Sequence, residues 1–139
     1  MLNPTTSLQN KRGMTLLEIM IVLVIVGGLV AILAQNVMGK LGKAQVSEAK
    51  IQMKELGKQL DLFYTDCGFY PSSLEGLVQA DSNCKNWGPE PYIKRVPKDP
   101  WNTEYGYSVE GSSYQLKSLG RGGKEGGTGS DADITSDDI

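Results

Sequence analysis

The sequence predicts an α+β protein in which a long N-terminal helix packs on a small antiparallel β-sheet head with a glycine-rich acidic loop. Three observations support this fold class. No proline interrupts residues 14–70, apolar residues after Gly39 recur at helical spacing, and two short segments near residue 110 alternate with the period of a strand. We expect the helix to be transmembrane in its first half and amphipathic in its second.

Composition excludes several classes of function. The chain has 139 residues and no histidine, so it forms one domain of ordinary size and lacks the commonest general base. A net charge of −2 offers no broad basic surface for a phosphate backbone. We therefore expect neither an enzyme nor a nucleic-acid-binding protein, and a hydrolase in particular lacks a convergent nucleophile and base.

An apolar segment follows the basic residues Lys11 and Arg12. Residues 14–33 number twenty, which at about 1.5 Å per residue spans a bilayer core of about 30 Å. The preceding positive charges favour a cytoplasmic N-terminus, with everything after Gly39 across the membrane. A cleaved secretory signal peptide is the alternative, but the apolar run is long for one and does not end in its small-residue cleavage site.

Glu18 is the only charged residue between Met14 and Gly39. An unpaired carboxylate costs about 2.5 kcal/mol or more in lipid, so such a residue is interpreted as functional. Cleavage between Gly13 and Met14 would create an α-amino group on Met14 that can pair with Glu18, within one chain or between neighbours.

The predicted helix runs from about Thr15 to about Thr65. Its second half carries one apolar stripe with spacings of three and four residues, formed by Val46, Ala49, Met53, Leu56, Leu60 and Phe63. Glycines, Gly42 among them, lower helix propensity by roughly 1 kcal/mol each relative to alanine. We expect any bend or local melting of the helix at these glycines.

Tyr70 and Pro71 are predicted to break the helix, and Ser73 to begin a short helical turn. A loop follows at 81–91. Residues 104–109 and 113–118 alternate around Gly111 and predict a β-hairpin, which must pack on the helix stripe to be stable.

Cys67 and Cys84 flank the short helical turn. In an oxidising compartment a disulfide between them is favoured, and it would contribute about 3 kcal/mol in the chain-entropy picture. Two free buried thiols are the alternative. A reactive thiol is a weaker interpretation because the chain has no histidine to activate it.

Residues 120–134 are rich in glycine and end in acids. A nucleotide-binding P-loop does not fit, because Glu125 and not serine or threonine follows Lys124. Flexible backbone followed by carboxylates suits a hard cation such as Ca²⁺. It equally suits a disordered acidic tail, and the composition leaves both interpretations open.

Residues 11–19, KRGMTLLEI, resemble the class III leader of type IV pilins and pseudopilins, although Met14 stands where phenylalanine is usual. Residues 92–101, which end in Asp-Pro-Trp, together with 118–120 and 132–134, are similar to the major pseudopilins of type II secretion systems. The resemblance covers nearly the whole chain after residue 10.

This resemblance implies a division of the chain into a leader (1–13), a transmembrane and filament-core helix (14–38), and a periplasmic head (39–139). Prepilin peptidase would cut after Gly13 and methylate Met14. The mature chain would wait in the inner membrane, in contact with lipid, and then form a helical homopolymer. Minor pseudopilins and an inner-membrane assembly platform are the other implied partners.

The resemblance also implies site residues. It predicts a Ca²⁺ site formed by the carbonyl of Leu119, a main-chain oxygen near Ser130, and the carboxylate of Asp133. Gly122 stands where the family supplies an aspartate, and Asp131 can compensate for it. At the subunit interface, an acid on the exposed helix face is predicted to meet Arg95 of a neighbour, and the candidates are Glu48, Glu55 and Asp61.

Two alternative functions remain from the sequence. One is a type IV pilin of an adhesion or motility fibre, a member of the same superfamily. The other is a membrane-tethered, calcium-binding periplasmic module without any role in assembly, for which substitution of Glu18 would be harmless.

Overall fold

The computed structural model describes residues 13–139, so all but the last residue of the predicted leader lies outside it. The chain divides into two compact units between Met38 and Gly39. One helix, α1 (Leu16–Cys67), runs for 52 residues and provides the start of the second unit. A three-stranded antiparallel sheet follows, which confirms the α+β class.

Helix α1 begins with a side-chain cap. The hydroxyl of Thr15 accepts a hydrogen bond from the backbone N–H of Glu18 at 3.2 Å, as expected of a threonine three residues before a glutamate. The Glu18 carboxylate thus lies in the first turn, where negative charge is favoured by the helix dipole.

The first unit presents its apolar side chains outward. Leu16 is 81% exposed and Val24 is 76% exposed, and α1 contains an 18-residue window with a mean hydropathy of 3.0. The helix is therefore long and apolar enough to cross a membrane. It continues through Gln35 and Gly39 without a break.

The predicted stripe on the second half of α1 forms one wall of the head. Its residues are buried except Val46, which is half-buried. The opposing residues of the core come from the rest of the head and are Leu74, Leu77, Tyr105, Leu116 and Ile134. The predicted packing of the helix stripe in the core is confirmed.

Two helical glycines are sites of close approach. A Cβ at Gly42 would lie 2.6 Å from the hydroxyl oxygen of Ser130, and one at Gly57 would lie 2.7 Å from that of Tyr114. Gly42 is buried within an unbroken helix. Its role in this structure is to admit Ser130 and not to bend the helix.

Gly68 ends the helix, two residues earlier than the predicted break at Tyr70 and Pro71. Its backbone is left-handed, with φ of 79°, and its N–H donates to the carbonyl of Tyr64 at 2.7 Å. Glycine adopts this conformation at little cost, so it is the usual residue just past a helix C-terminus.

The segment after the helix is tied back to it by a disulfide. Cys67 and Cys84 are bonded, with Cα atoms 5.1 Å apart, which confirms the predicted pairing over free thiols. Between them, Leu74–Leu77 forms a single 3₁₀ turn. Ser73 precedes this turn as predicted, but its side chain makes no capping hydrogen bond.

Strands β1 (Gly106–Glu110) and β2 (Ser113–Ser118) form the predicted hairpin, with Glu110 opposite Ser113. Gly111 occupies the turn with φ of 59°. A third strand, β3 (Ile134–Thr135), pairs with β2 and was not predicted. Ile134 is 5% exposed and belongs to the core, so the C-terminal segment is not the disordered tail that its composition allowed.

Asp99 organises the turn that leads into the sheet. Asp99 is 4% exposed, and its carboxylate accepts hydrogen bonds from the N–H groups of Trp101 and Thr103 at 3.1 and 2.7 Å. It also accepts one from the hydroxyl of Ser118 at 2.9 Å. That hydroxyl in turn accepts from the N–H of Gly120, so one carboxylate connects the Asp-Pro-Trp turn to the start of the glycine-rich loop.

Asp99→Ala should lower the free energy of unfolding by about 3 kcal/mol, because it leaves buried donors without an acceptor. Ser118→Ala, which removes one of these bonds, should cost about 1 kcal/mol. Urea unfolding of the full chain in detergent, followed by fluorescence of Trp87 and Trp101, measures both. Asp137→Ala, at an exposed acid, is the control, and an Asp99→Ala effect no larger than this control would contradict the assigned role.

Candidate assembly and ion-binding sites

The predicted cleavage site lies in an accessible segment. Gly13 and Met14 are exposed and precede the first turn of α1, and a Cβ at Gly13 would meet no atom of the described residues within 4 Å. Glu18 is also exposed. The peptide between Gly13 and Met14 is therefore free of secondary structure, as a peptidase requires.

Asp61 lies on the exposed face of α1. One of its carboxylate oxygens accepts a hydrogen bond from the hydroxyl of Tyr70 at 3.0 Å. The pKa of Tyr70 is raised to about 12, mainly because the phenol is partly buried and also because it donates this hydrogen bond to Asp61. The other two acids proposed for the interface bond to neighbours on the helix, Glu48 to Gln52 and Glu55 to Lys58 and Gln59.

Arg95 is exposed and borders an apolar hollow of about 250 Å³. The hollow is also lined by Gln52, Glu55, Leu56, Ile93 and Pro97, so Glu55, one of the candidate interface acids, borders the same hollow as Arg95. Among residues 13–139 no acid forms an ion pair with Arg95. The structure does not bring Arg95 and Asp61 together within one chain, and their predicted contact between subunits stays a prediction.

The glycine-rich loop folds against the start of β3. Its entry at Gly120 has φ of 64°, and a Cβ there would lie 2.5 Å from the carbonyl oxygen of Ala132. The main-chain carbonyl of Ser130 accepts from the N–H of Arg121 at 2.8 Å. The loop entry, which follows Leu119, therefore lies beside the segment that contains Ser130, Asp131 and Asp133.

Both predicted carboxylate ligands are paired with basic side chains. The Arg121 guanidinium contacts the two oxygens of Asp131 at 2.7 and 3.3 Å. The Lys117 ammonium lies 3.0 Å from one oxygen of Asp133 and 3.1 Å from Glu125. The same Asp133 oxygen accepts from the N–H of Gly126 at 3.2 Å. The other Asp133 oxygen is buried and has no hydrogen-bond partner among residues 13–139.

These contacts shift the titration of both acids. The hydrogen bond from Arg121 lowers the pKa of Asp131. The N–H of Gly126, and then Lys117, lowers the pKa of Asp133. A carboxylate whose pKa is lowered on folding stabilises the folded state above its ordinary pKa and loses that contribution as the pH falls through the lowered value.

The arrangement does not fit a hard divalent cation. Such an ion takes six to eight oxygen ligands, whereas three of the four carboxylate oxygens here are bonded to the chain's own donors. Within residues 13–139, no three histidine, cysteine or acidic side chains are grouped to hold a metal. Calcium binding stays a prediction of the resemblance.

Three functionally relevant residues were missed in the sequence. The threonine of the cap, Thr15, was recognisable, because a threonine three residues before a glutamate is a capping pattern. Lys117 and Arg121 carried no such signal, since their acidic partners follow them by eight residues or more in a segment without regular periodicity.

The long helix with one acid in its apolar first half, the disulfide at its end and the small antiparallel sheet define a pilin-like structural subunit. Residues 8–34 match the model of the prokaryotic N-terminal methylation motif, and residues 36–137 match that of type II secretion system protein G. The chain belongs to the type II secretion system protein G family.

Relatives cover nearly the full length of the chain. The type II secretion system core protein G of Pseudomonas aeruginosa is 40% identical over 91% of this chain and 94% of its own length. The protein of that name from Vibrio cholerae is 37% identical over 91% and 92%. Among solved structures, the major pseudopilin of the type 2 secretion system of enterohaemorrhagic Escherichia coli superposes with a TM-score of 0.60. It is 28% identical, and the match covers 73% of this chain and 93% of the other.

Proposed function

We propose that this chain is the precursor of a major pseudopilin, a structural subunit that polymerises into the periplasmic filament of a type II secretion system. Growth of the filament would move secreted protein toward the outer membrane. The observation that carries this proposal is the position of Glu18 as the only charged residue in the apolar part of α1 (Met14 to Gly39), within a chain that belongs to the protein G family.

The apolar surface of α1 can contact lipid first and other copies of the chain later. Its exposed side chains are suited to lipid while the subunit is a membrane monomer. The same side chains can pack against other copies once the subunit leaves the bilayer. Assembly would then bury in helix–helix contacts the apolar surface that the lipid had covered.

Glu18 would guide this transfer. Its charge is costly in lipid unless it is paired, and the methylated α-amino group of Met14 on an adjacent subunit is a positive charge of matching depth. Thr15 caps the helix through the backbone of residue 18, so the carboxylate is not consumed by the cap. Pairing would therefore favour addition of the subunit in one register.

The disulfide supports a head outside the cytoplasm. Bonds such as Cys67–Cys84 persist in oxidising compartments such as the bacterial periplasm. Lys11 and Arg12 before the apolar segment favour the same orientation. The partners that follow are other copies of the chain, prepilin peptidase, minor pseudopilins and the inner-membrane assembly platform.

Processing provides the first test of this function. In cells that possess prepilin peptidase, the protein should begin at Met14, carry one N-methyl group and lack the thirteen leader residues. Intact-mass measurement on membrane-extracted protein checks this expectation, with peptidase-deficient cells as the control. Protein that retains the leader in the competent cells would contradict the proposal.

Substitution of Glu18 tests the role of the carboxylate. Glu18→Leu should insert into the membrane at least as well as the unmodified chain, because it removes a charge worth about 2.5 kcal/mol or more in lipid. Sheared filament yield and secretion should nevertheless fall about tenfold or more, since a lost pairing of about 1.4 kcal/mol already has that effect on an equilibrium.

The capping hydrogen bond separates this effect from helix stability. It uses the backbone N–H of residue 18 and survives in Glu18→Leu, whereas Thr15→Ala removes it and keeps the carboxylate. Thr15→Ala should therefore retain most of the filament yield. Normal yield from Glu18→Leu would leave the membrane-tethered module without assembly as the better interpretation.

Charge reversal tests the predicted contact between Asp61 and Arg95. Either Asp61→Arg or Arg95→Asp should reduce filament yield, and the double reversal should restore part of it. Exposed pairs contribute under about 1 kcal/mol each, but every interface along the filament repeats the contact. Tyr70→Phe is the matched control because it removes the hydrogen bond to Asp61 without changing charge. The prediction fails for Asp61 if the double reversal gives no recovery, and Glu48 and Glu55 are then tested in the same way.

A further inference from the structure

The glycine-rich loop is held by positive charges that the chain itself provides. Lys117 lies on β2, the central strand of the sheet, between Gly106 of β1 and Thr135 of β3. Its neighbours in sequence, Leu116 and Ser118, point into the interior and are buried. Because side chains alternate along a strand, Lys117 points to the opposite face of the sheet from its buried neighbours.

The ammonium of Lys117 lies between two acids from different parts of the loop. It is 3.1 Å from Glu125, in the middle of the glycine-rich stretch, and 3.0 Å from Asp133, just before β3. The side chains of Lys117 and Asp133 are only 30% and 19% exposed. One cation therefore fixes both the middle and the end of the loop to the central strand.

Arg121 provides the second positive charge. Its guanidinium contacts both oxygens of Asp131, and its backbone N–H donates to the carbonyl of Ser130. Such two-point contacts between arginine and a carboxylate are directional as well as attractive. Arg121 thus connects the start of the loop to the segment that precedes β3.

Gly122 has no side chain and so adds no negative charge to the acids that Lys117 and Arg121 contact. A Cβ at Gly122 would lie 3.4 Å from the Cβ of Asp131, so an aspartate there would add a fourth carboxylate to the three that Arg121 and Lys117 contact. Without it, the loop has three acids, Glu125, Asp131 and Asp133, contacted by two cations of the chain.

We propose that Lys117 and Arg121 take the place of a metal ion in this loop, so that the head folds and remains stable without calcium. The proposal concerns the folded head and does not depend on the filament function. Three residues carry this independence from calcium: Lys117 on the central strand, Arg121 at the loop entry, and Gly122, which adds no carboxylate.

The test compares melting temperatures of the full-length chain in detergent, in excess EDTA and in millimolar calcium chloride. Fluorescence of Trp87 and Trp101 follows the head alone, since the apolar segment has no tryptophan. The unmodified chain should melt at the same temperature in both buffers. A rise of several degrees in calcium would overturn the proposal, because a ligand that binds only the folded state must stabilise it.

Lys117→Met removes the charge and keeps the length of the side chain. In EDTA it should melt a few degrees lower, while Lys117→Arg should stay close to the unmodified chain. Lys124→Met is the matched control, since Lys124 lies in the same loop and forms no ion pair within residues 13–139. A Lys117→Met variant that melts no lower than this control would overturn the role given to Lys117.

A double variant tests the exchange of one cation for the other. Lys117→Met combined with Gly122→Asp removes the ammonium and adds a carboxylate beside Asp131, so its melting temperature should rise by several degrees in calcium but not in EDTA. If the double variant folds and melts at the same temperature in calcium and in EDTA, the loop does not bind a cation in place of Lys117, and the proposal is overturned. If Lys117→Met does not fold, a folded Lys117→Arg variant that is indifferent to calcium supports the proposal, and one that calcium stabilises overturns it.

Discussion

The apolar stripe on the second half of α1 is the surface on which the rest of the head depends. Half of the ten buried residues of the core cluster lie on it, from Ala49 to Phe63. The strands contain five, six and two residues, and a sheet of this size is not stable without a packing partner. Helix, hairpin and β3 are therefore one cooperative unit, and a change that weakens the stripe affects the loop that β3 positions.

Periodic features of the sequence predicted most of the fold. The helix stripe and the hairpin depend on local repeats of hydrophobicity, and the observed elements differ from the predicted ones by two residues at most. Strand β3 was not predicted because an alternating pattern cannot be recognised in only two residues. The role of Asp99 was missed for another reason. Its carboxylate accepts a hydrogen bond from Ser118, nineteen residues later, and no local pattern in the sequence indicates such a contact.

The candidate sites show the same difference between features that are local in the sequence and contacts between distant residues. Glu18 was evident because one charge in an apolar run is a local contrast, and the structure adds that Thr15 already caps the helix there. The acids of the glycine-rich loop were also evident from composition. Their pairing with Lys117 and Arg121 was not, because it requires the antiparallel placement of β2 beside β3, which no segment of the sequence indicates by itself.

The disulfide gives the head a particular response to mechanical load. Cys67 is the last residue of α1, and its bond to Cys84 spans seventeen positions of the chain. A pull transmitted along the helix into the head passes through this covalent bond, so the residues between the two cysteines carry little of the tension. The 3₁₀ turn Leu74–Leu77, which lies between the two cysteines, is thereby shielded from extension. A reduced chain would have to resist the same force with hydrogen bonds and the packing of Leu74 and Leu77 in the core.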